Sequence, residues 1–559
     1  MASIKSSFIT SPVAHVLIIL ILGGSLLLFR LGSRPLGGSE GRWGEAAREM
    51  LLTHDWIVPK INGIPYRDKP VGSYWLIALF SLPKNRVTET TTRLPSAAAT
   101  ILSTILLYLV ASSFWDRKAA LLTALIFMTH YPLLHWSRTA NADTLTLTGM
   151  LGSVWFFVKH RHDIACGTWL YPFFIIAGLA SLMKGLLGFV LPSLGVFPYL
   201  LAKNRRVFFS KRFLLHLFFA AILGGALFLV PFFLDFEATH SGVALYLVFK
   251  ENIIRFFHPF DHMASFFYYF YYIFITLSPW TLMIPILLHA LKKRDITGDN
   301  GFFFFTLWFA CLFTFFTLSG SKRGYYLLPV IAPFSALLGF TLLRSSFSKA
   351  HSRLETVLWL IPATAAALFG IAFLVLPFTP LPEMFPRYVS VLQPLLCPLA
   401  GGLLLAGASI IMIVKHRFAK AFFLIFAGIY LFMGVYFWFA TPAVASISPF
   451  VPFCKKVNAA IKNSPVAVYG SADRSILYFY LDKTPVPYFI DPKKARDFLY
   501  NHPRSFLIVK GRNSLDNLGI RSPKVVISER ERDPKAYLLI TLKRNSHLIK
   551  DNAPSKTQN

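Results

Sequence analysis

Residues 37–75 read GGSEGRWGEAAREMLLTHDWIVPKINGIPYRDKPVGSYW, and the fold of the whole chain turns on what this stretch is. It follows one apolar segment of membrane-spanning length and precedes many more. It is the longest polar segment before the C-terminal tail, and it mixes carboxylates, basic residues and aromatics instead of carrying one charge sign. Connections between packed elements are mostly short, with a median of roughly 4–6 residues. A polar loop of about forty residues beside a membrane is therefore a candidate site.

Around it the composition is that of a polytopic membrane protein. The 559 residues are 55% hydrophobic and 15% charged, with a mean hydropathy of +0.55, which disfavours a soluble enzyme of this length. The formal net charge is +30. In a soluble protein that would point to nucleic acid. Here the charge gathers at span ends and in the tail, which points to anionic lipid and topology, and no nucleic-acid partner is expected. Cys166, Cys311, Cys397 and Cys454 are scattered, with neither metal spacing nor a disulfide framework. The N-terminal apolar run lacks a small-residue cleavage site and reads as a retained first helix.

A bilayer core takes about 20 apolar residues per helix. Spans are expected near 12–31, 92–114, 118–136, 143–158, 168–183, 186–202, 213–234, 265–290, 302–319, 325–343, 355–377, 389–414 and 420–441, about thirteen in all. Lys184 and Gly185 interrupt the pair after 168. A basic residue at membrane depth is expensive, so they mark a turn or a cavity. Alternate short loops carry Arg117/Lys118, Lys159/Arg161, Lys203/Arg205/Arg206/Lys211/Arg212, Lys292/Lys293/Arg294, Arg344/Lys349/Arg353 and Lys415/Arg417/Lys420. All fall on one side if the N-terminus is cytoplasmic, which puts the 37–75 loop and the C-terminal tail outside. Within the loop, residues 44–52 favour helix, with Glu45 and Glu49 on one face; a solvated amphipathic helix at the membrane surface is the plain reading. Residues 74–82 are apolar but too short to span, so they are expected along the interface. The organisation expected is a transmembrane part over 1–445, with loop 32–91 carrying the site, and a small α/β domain over 455–559. There, strand-like runs (VAVYG, VPYFI, SFLIV, KVVIS, YLLITL) alternate with helical stretches, and the last dozen residues are polar.

The loop also resembles the first extracytoplasmic loop of the GT-C superfamily of membrane glycosyltransferases. The likeness is to the bacterial branch that contains the lipid A aminoarabinose transferase; protein O-mannosyltransferases are more distant. That branch runs Asp-Glu-x-Arg-Tyr-x-Glu-x-x-Arg-Glu-Met, then Asp-Trp-x-x-Pro, then Lys-Pro and Tyr-Trp. The matching residues here are Glu40, Arg42, Trp43, Glu45, Arg48, Glu49, Met50, then Asp55, Trp56, Pro59, then Lys69, Pro70, Tyr74, Trp75, while Ser39 stands where the family has its leading Asp. Three later stretches are also similar. WSRTANAD, at 136–143, carries Arg138 and Asp143 with the family's Arg-x-x-x-x-Asp spacing; Asn141 or Asp143 as a helix cap is the plainer reading. KENIIRFFHPFDH carries Glu251, Asn252 and Arg255, three or four apart on one helical face. Arg255 has the planar fork that suits phosphate, against the plain alternative of an i,i+4 pair with Glu251. LSGSKRGYYLLP, at 318–329, carries Lys322, Arg323, Tyr325 and Tyr326, which interface anchoring explains equally well.

The resemblance implies an inverting glycosyltransferase that takes sugar from a polyprenyl-phosphate carrier, undecaprenyl phosphate in bacteria. The acceptor would be extracytoplasmic, such as lipid A, lipopolysaccharide, another glycan or protein. The site would lie in the cytoplasmic (inner) membrane of a bacterium, facing the periplasm or cell exterior. Lys69, Arg255, Lys322, Tyr325 and Tyr326 are expected at the carrier phosphate. Glu40, adjacent to the missing Asp, is the expected catalytic base with Asp143 behind it, and Arg42, Glu45, Arg138 and Glu251 are expected in support. His258, Asp261 and His262 lack a fourth fixed ligand for a metal; no cofactor is assigned, and a divalent cation stays open. The other readings are a transporter or flippase for a lipid-linked precursor, which needs no base, and a degenerate homologue that has lost activity through Ser39.

Overall fold

The computed structural model describes residues 11–346, 352–380, 386–470, 475–502, 504–520, 523–530 and 536–542. Lys349 and the last dozen residues lie outside them. Each of the thirteen apolar segments is mainly helical. Their ends are set by short polar side chains: Ser11, Thr88, Asp116, Ser210, Asp299 and Ser352 each accept a hydrogen bond from the first turn of the helix they open.

Fewer of these apolar segments than expected are single helices of full spanning length. Among the described residues, seven helices are long and apolar enough to cross a membrane: Glu89–Ser112, Lys211–Thr239, Asn300–Leu318, Gly324–Ser345, Arg353–Phe378, Val389–Val414 and Phe418–Ser446. The count is nine if two bent pairs are each one span. Arg117–Met128 meets Tyr131–Ser137 at 65°, and Tyr268–Thr276 meets Trp280–Ala290 at 101°. Pro132 and Pro279 sit at these bends, where a missing N–H and a fixed φ break the helical ladder. Pro12–Leu28, Leu170–Lys184 and Leu187–Lys203 are apolar but shorter. The last two form a helical hairpin: Gly185 adopts φ +83° and ends the first helix at Lys184, and the second folds back so that the Phe197 ring centre lies 6.0 Å from that of Phe173.

The first loop is not a solvated surface helix. Its helix, Glu40–Thr53, buries Glu40, Glu45, Arg48 and Glu49 along with Trp43, Ala46, Ala47 and Met50. After it come two short strands, β1 (Lys60–Ile61) and β2 (Ile64–Pro65), paired antiparallel. Asn62 (φ +57°) and Gly63 (φ +75°) make the two-residue turn between them, the Asn-Gly signature of a tight hairpin. Gly72–Ser81 then forms a short helix that packs Tyr74, Ile77 and Ala78 inward.

At the C-terminal end, β3 (Val466–Tyr469), β4 (Tyr488–Phe489), β5 (Phe506–Lys510), β6 (Pro523–Ser528) and β7 (Tyr537–Leu542) form one mixed sheet in the order β4-β3-β5-β7-β6. β3 runs parallel to β4 and β5, and β7 runs antiparallel to β5 and β6. The sheet buries Val466, Val468, Phe506, Ile508 and Leu539 on one face and Ala467, Leu507, Val509, Leu538 and Ile540 on the other. The helix Ser475–Leu481 packs directly on the first-loop helix through Phe479, so the loop and this unit lie on the same side of the membrane. Ser39 and Asn517 are both exposed. Single cysteines placed at the two positions in intact cells are expected to react with a membrane-impermeant thiol reagent; reaction of either only after the inner membrane is opened would refute this topology.

Candidate active site

A cavity of about 490 Å³ opens where the first loop, the 136–143 loop, the break at Lys184 and the segments around 248–261 and 315–326 meet. Ser39, Arg42, Lys69, Asp143, Glu251, Arg255, Tyr325 and Tyr326 line it, as do Asp68, Lys184 and Asn252. Five stretches far apart in sequence thus share one chamber. Its other wall is apolar, with Leu186, Leu187, Val190, Phe256, Phe315 and Phe316.

The cations of the chamber are held against carboxylates. Lys69 Nζ lies 3.0 Å and Arg255 Nη1 2.7 Å from the same Glu251 oxygen. Arg255 Nη2 lies 2.6 Å from Asp261, and its Nε donates to Ser321 Oγ at 3.1 Å. The i,i+4 pair expected as the plain reading is therefore present, inside the cavity wall. Burial pushes the Glu251 carboxyl up, but Lys69 and then Arg255 outweigh it and hold it below the usual carboxylate range. Across the chamber Lys184 pairs with Asp143 and lies 4.4 Å from the centre of the Tyr326 ring. Asn141, not Asp143, is the cap: its Oδ1 accepts from the N–H groups of Asp143 and Thr144 at 2.9 and 3.1 Å. That leaves the Asp143 carboxylate facing the cavity. Asp68 is hydrogen-bonded to Tyr66, whose hydroxyl accepts from Arg42 at 3.1 Å. Among the described residues Asp68 makes no ion pair.

Four expected site residues lie elsewhere. Glu40 is 0% exposed and absent from the cavity wall. Its carboxylate accepts from Arg93 Nε at 2.7 Å and Nη2 at 2.9 Å, and from the N–H groups of Gly37 at 2.9 Å and Ala140 at 3.2 Å; Arg34 adds a contact at 3.1 Å. Burial alone would raise its pKa; the hydrogen bonds and charge of Arg93, then Arg34 and Gly37, outweigh that and lower it. A carboxylate so saturated has no lone pair for a substrate proton, so Glu40 is not placed to be a base. Glu45 is buried in a two-pronged pair with Arg48 at 2.7 and 2.8 Å. Arg138 donates to the carbonyls of Leu26, Leu27 and Phe29 at 2.7, 3.1 and 3.0 Å. It closes the C-terminal end of the first helix, where carbonyls lack partners and a cation is favoured. Lys322 turns back onto the Ser319 carbonyl. Among the described residues no three His, Cys, Asp or Glu side chains gather as a metal site.

Comparison with known proteins fits this layout. Residues 68–232 match the dolichyl-phosphate-mannose-protein mannosyltransferase family, a range that includes Lys69, Asp143 and Lys184 and stops before Arg255. The undecaprenyl phosphate-alpha-4-amino-4-deoxy-L-arabinose arabinosyl transferase 1 of Pseudomonas fluorescens (strain Pf0-1) is 29% identical over 321 residues, 55% of this chain and 53% of that protein. The corresponding transferase of Pectobacterium atrosepticum is 28% identical over 377 residues, 64% of this chain and 65% of that protein. The chain thus spans between about half and two thirds of the length of these curated relatives. The crystal structure of ArnT from Cupriavidus metallidurans bound to undecaprenyl phosphate superposes with a TM-score of 0.75 at 20% identity, covering 95% of this chain and 98% of that one. The chain is similar to these transferases over part of its length and shares the fold of ArnT.

Of the charged residues in the cavity wall, sequence reading missed Lys184 and Asp68 as site candidates. Lys184 had a signal, since a lysine breaking an apolar run needs a cavity or a turn. Asp68 had only its position beside Lys69. The buried Glu40–Arg93 pair yields a direct test. Glu40→Gln leaves the Arg93 guanidinium without its counter-charge, which is expected to cost about 3–5 kcal/mol. Thermal unfolding in detergent should show a large drop in midpoint, and a variant as stable as the parent would contradict the structural role.

Proposed function

We propose that the chain transfers a sugar from a polyprenyl-phosphate carrier to an extracytoplasmic acceptor, with inversion at the anomeric carbon. The observation that carries this reading is the convergence of Lys69 and Arg255 on one Glu251 oxygen in the cavity wall, beside an apolar face suited to an isoprenoid tail. A phosphodiester entering there would take over hydrogen bonds that Glu251 now holds. The similarity to a fold solved with undecaprenyl phosphate supports the same carrier class. Lipid A, lipopolysaccharide, another glycan or a protein are the acceptors this class admits. A bacterial inner-membrane location with the site facing the periplasm is part of this reading; the bacterial sources of the relatives and the basic loops support it.

In the reaction an acceptor oxygen forms a bond to the anomeric carbon while the bond from that carbon to the phosphate oxygen breaks. The phosphate leaves with the electron pair, and the positive charges of Lys69 and Arg255 stabilise the dianion as it forms. Tyr326 stands within electrostatic reach of Arg255, Asp143 and Lys69, in the middle of this arrangement. For a hydroxyl acceptor the proton goes to a carboxylate. Ser39 lines the cavity but cannot take it, and Glu40 is locked away. Asp68, which makes no ion pair among the described residues, is assigned that role. The Asp143–Lys184 pair is assigned to orient the sugar or the acceptor. A phosphate acceptor would need no base.

Transfer by purified protein from a polyprenyl-phosphate sugar tests the reading, and carrier binding without any transfer would instead support a degenerate homologue. Lys69→Ala and Arg255→Ala should each weaken binding of undecaprenyl phosphate about tenfold to a hundredfold, the worth of a charge-assisted hydrogen bond of roughly 1.5–3 kcal/mol. Arg255→Lys should rescue only in part, because an ammonium cannot reproduce the fork. With a hydroxyl acceptor, Asp68→Asn should lower kcat by about 10²–10⁴-fold with carrier binding little changed. Wild-type turnover in Asp68→Asn would remove it from the chemistry. Ser39→Asp is the companion: a higher rate would show that a further carboxylate at this point of the wall helps.

A further inference from the structure

No residue beyond Tyr326 lines the cavity among the described residues, yet the C-terminal unit grips the loop that does. The first-loop helix has two working sides. Ser39, Arg42 and Trp43, spaced i, i+3 and i+4, face the cavity. On the other side Gly41 meets Ile476 so closely that an added Cβ would lie 2.7 Å from its backbone nitrogen and 2.8 Å from its Cα. Only a glycine lets the two helices touch backbone to backbone.

Three polar ties reinforce that contact. The Tyr480 hydroxyl accepts from the Leu36 N–H at 2.8 Å and donates to Glu89 at 3.0 Å, joining the entry of the loop to its exit. Glu49 accepts from the Asn62 N–H, from the Gly63 N–H at 2.9 Å and from the Thr484 hydroxyl at 3.1 Å. The Asn62 side chain exchanges two hydrogen bonds with the Val486 backbone, donating to its carbonyl at 2.7 Å and accepting from its N–H at 2.6 Å. The hairpin tip is thereby seated in the C-terminal unit. Its stem runs on through the Tyr66 N–H to the Pro59 carbonyl at 2.7 Å and ends at Asp68 and Lys69, in the cavity wall.

We propose that the C-terminal unit is a clamp whose contacts with Asn62, Glu49 and Leu36 position the first loop, so that Lys69 is already in place when the carrier phosphate arrives. The proposal rests on the carrier-phosphate reading of Lys69. A loop of this length left unsupported would populate many conformations, and affinity falls in proportion to the fraction that is competent. Asn62 and Tyr480 are positioning residues: they touch no substrate and act through the loop they hold.

The test uses the full-length protein in detergent with undecaprenyl phosphate as the probe. Asn62→Gly removes the side-chain bonds and keeps a residue that tolerates the left-handed turn. Tyr480→Phe removes the tie from the opposite side. Hydrogen exchange across residues 59–69 should accelerate in Asn62→Gly, and across the loop entry in Tyr480→Phe. Carrier binding should weaken by about three- to tenfold in each. In a Lys69→Ala background the same substitutions should produce no further loss of binding. Unchanged exchange would overturn the clamp. So would a loss of binding that is equally large in the Lys69→Ala background, since that would mean general damage. If exchange accelerates while Lys69→Ala itself binds like the parent, the clamp holds the loop but the phosphate reading of Lys69 is wrong.

Discussion

The ion pair between Glu40 and Arg93 is the constraint from which the rest of the site is built. Both side chains are 0% exposed. Besides the carboxylate, the Arg93 guanidinium donates to the carbonyls of Leu31, Arg34 and Pro35 at 3.1, 2.6 and 2.8 Å. One arginine on the Glu89–Ser112 helix thus gathers the chain where it leaves the first helix and fixes the rotation of the loop helix about its axis. With Glu40 turned inward, Ser39, Arg42 and Trp43 are turned toward the cavity and Gly41 toward Ile476. Such a pair tolerates burial because nearly every donor and lone pair is used; removing one partner strands the other in a medium that solvates charge poorly.

A second consequence concerns charge in the chamber. Lys69, Arg255 and Lys184 are each within salt-bridge distance of a carboxylate. Bare cations in a partly buried chamber would be costly, and Glu251, Asp143 and Asp261 neutralise them. A phosphate would then bind by exchange, taking over contacts already aimed at an oxygen. That arrangement gives up affinity, because the incoming anion competes with a resident one, and it gains geometry, because the cations are held in place beforehand. The hairpin turn at Gly185 serves the same end, delivering Lys184 to the chamber at a helix terminus.

Much of this was legible in the sequence, and for identifiable reasons. Hydropathy located the thirteen apolar helical segments, since burial in lipid or in a helical core demands runs of apolar residues. The convergence of Lys69, Asp143, Glu251, Arg255 and Tyr326 followed from resemblance to a known set of motifs. The crossing count did not follow. Whether an apolar segment crosses, bends at a proline or stops at a glycine depends on what its neighbours pack against it, and hydropathy measures only the segment.

The order of residues along the chain therefore determined which segments are helical, that the first loop is exceptional, and which charged residues it contributes. Tertiary structure alone decided which of them face the chamber. Ser39 and Glu40 are neighbours, yet one lines the cavity and the other is sealed against Arg93, because about 100° of helical rotation separates successive side chains and the partner that sets the rotation lies on another helix. Arg138 looked like a site residue and is a helix cap, since the carbonyls it closes belong to a helix more than a hundred residues earlier. Local pattern specifies what a side chain can do; only packing specifies what it meets.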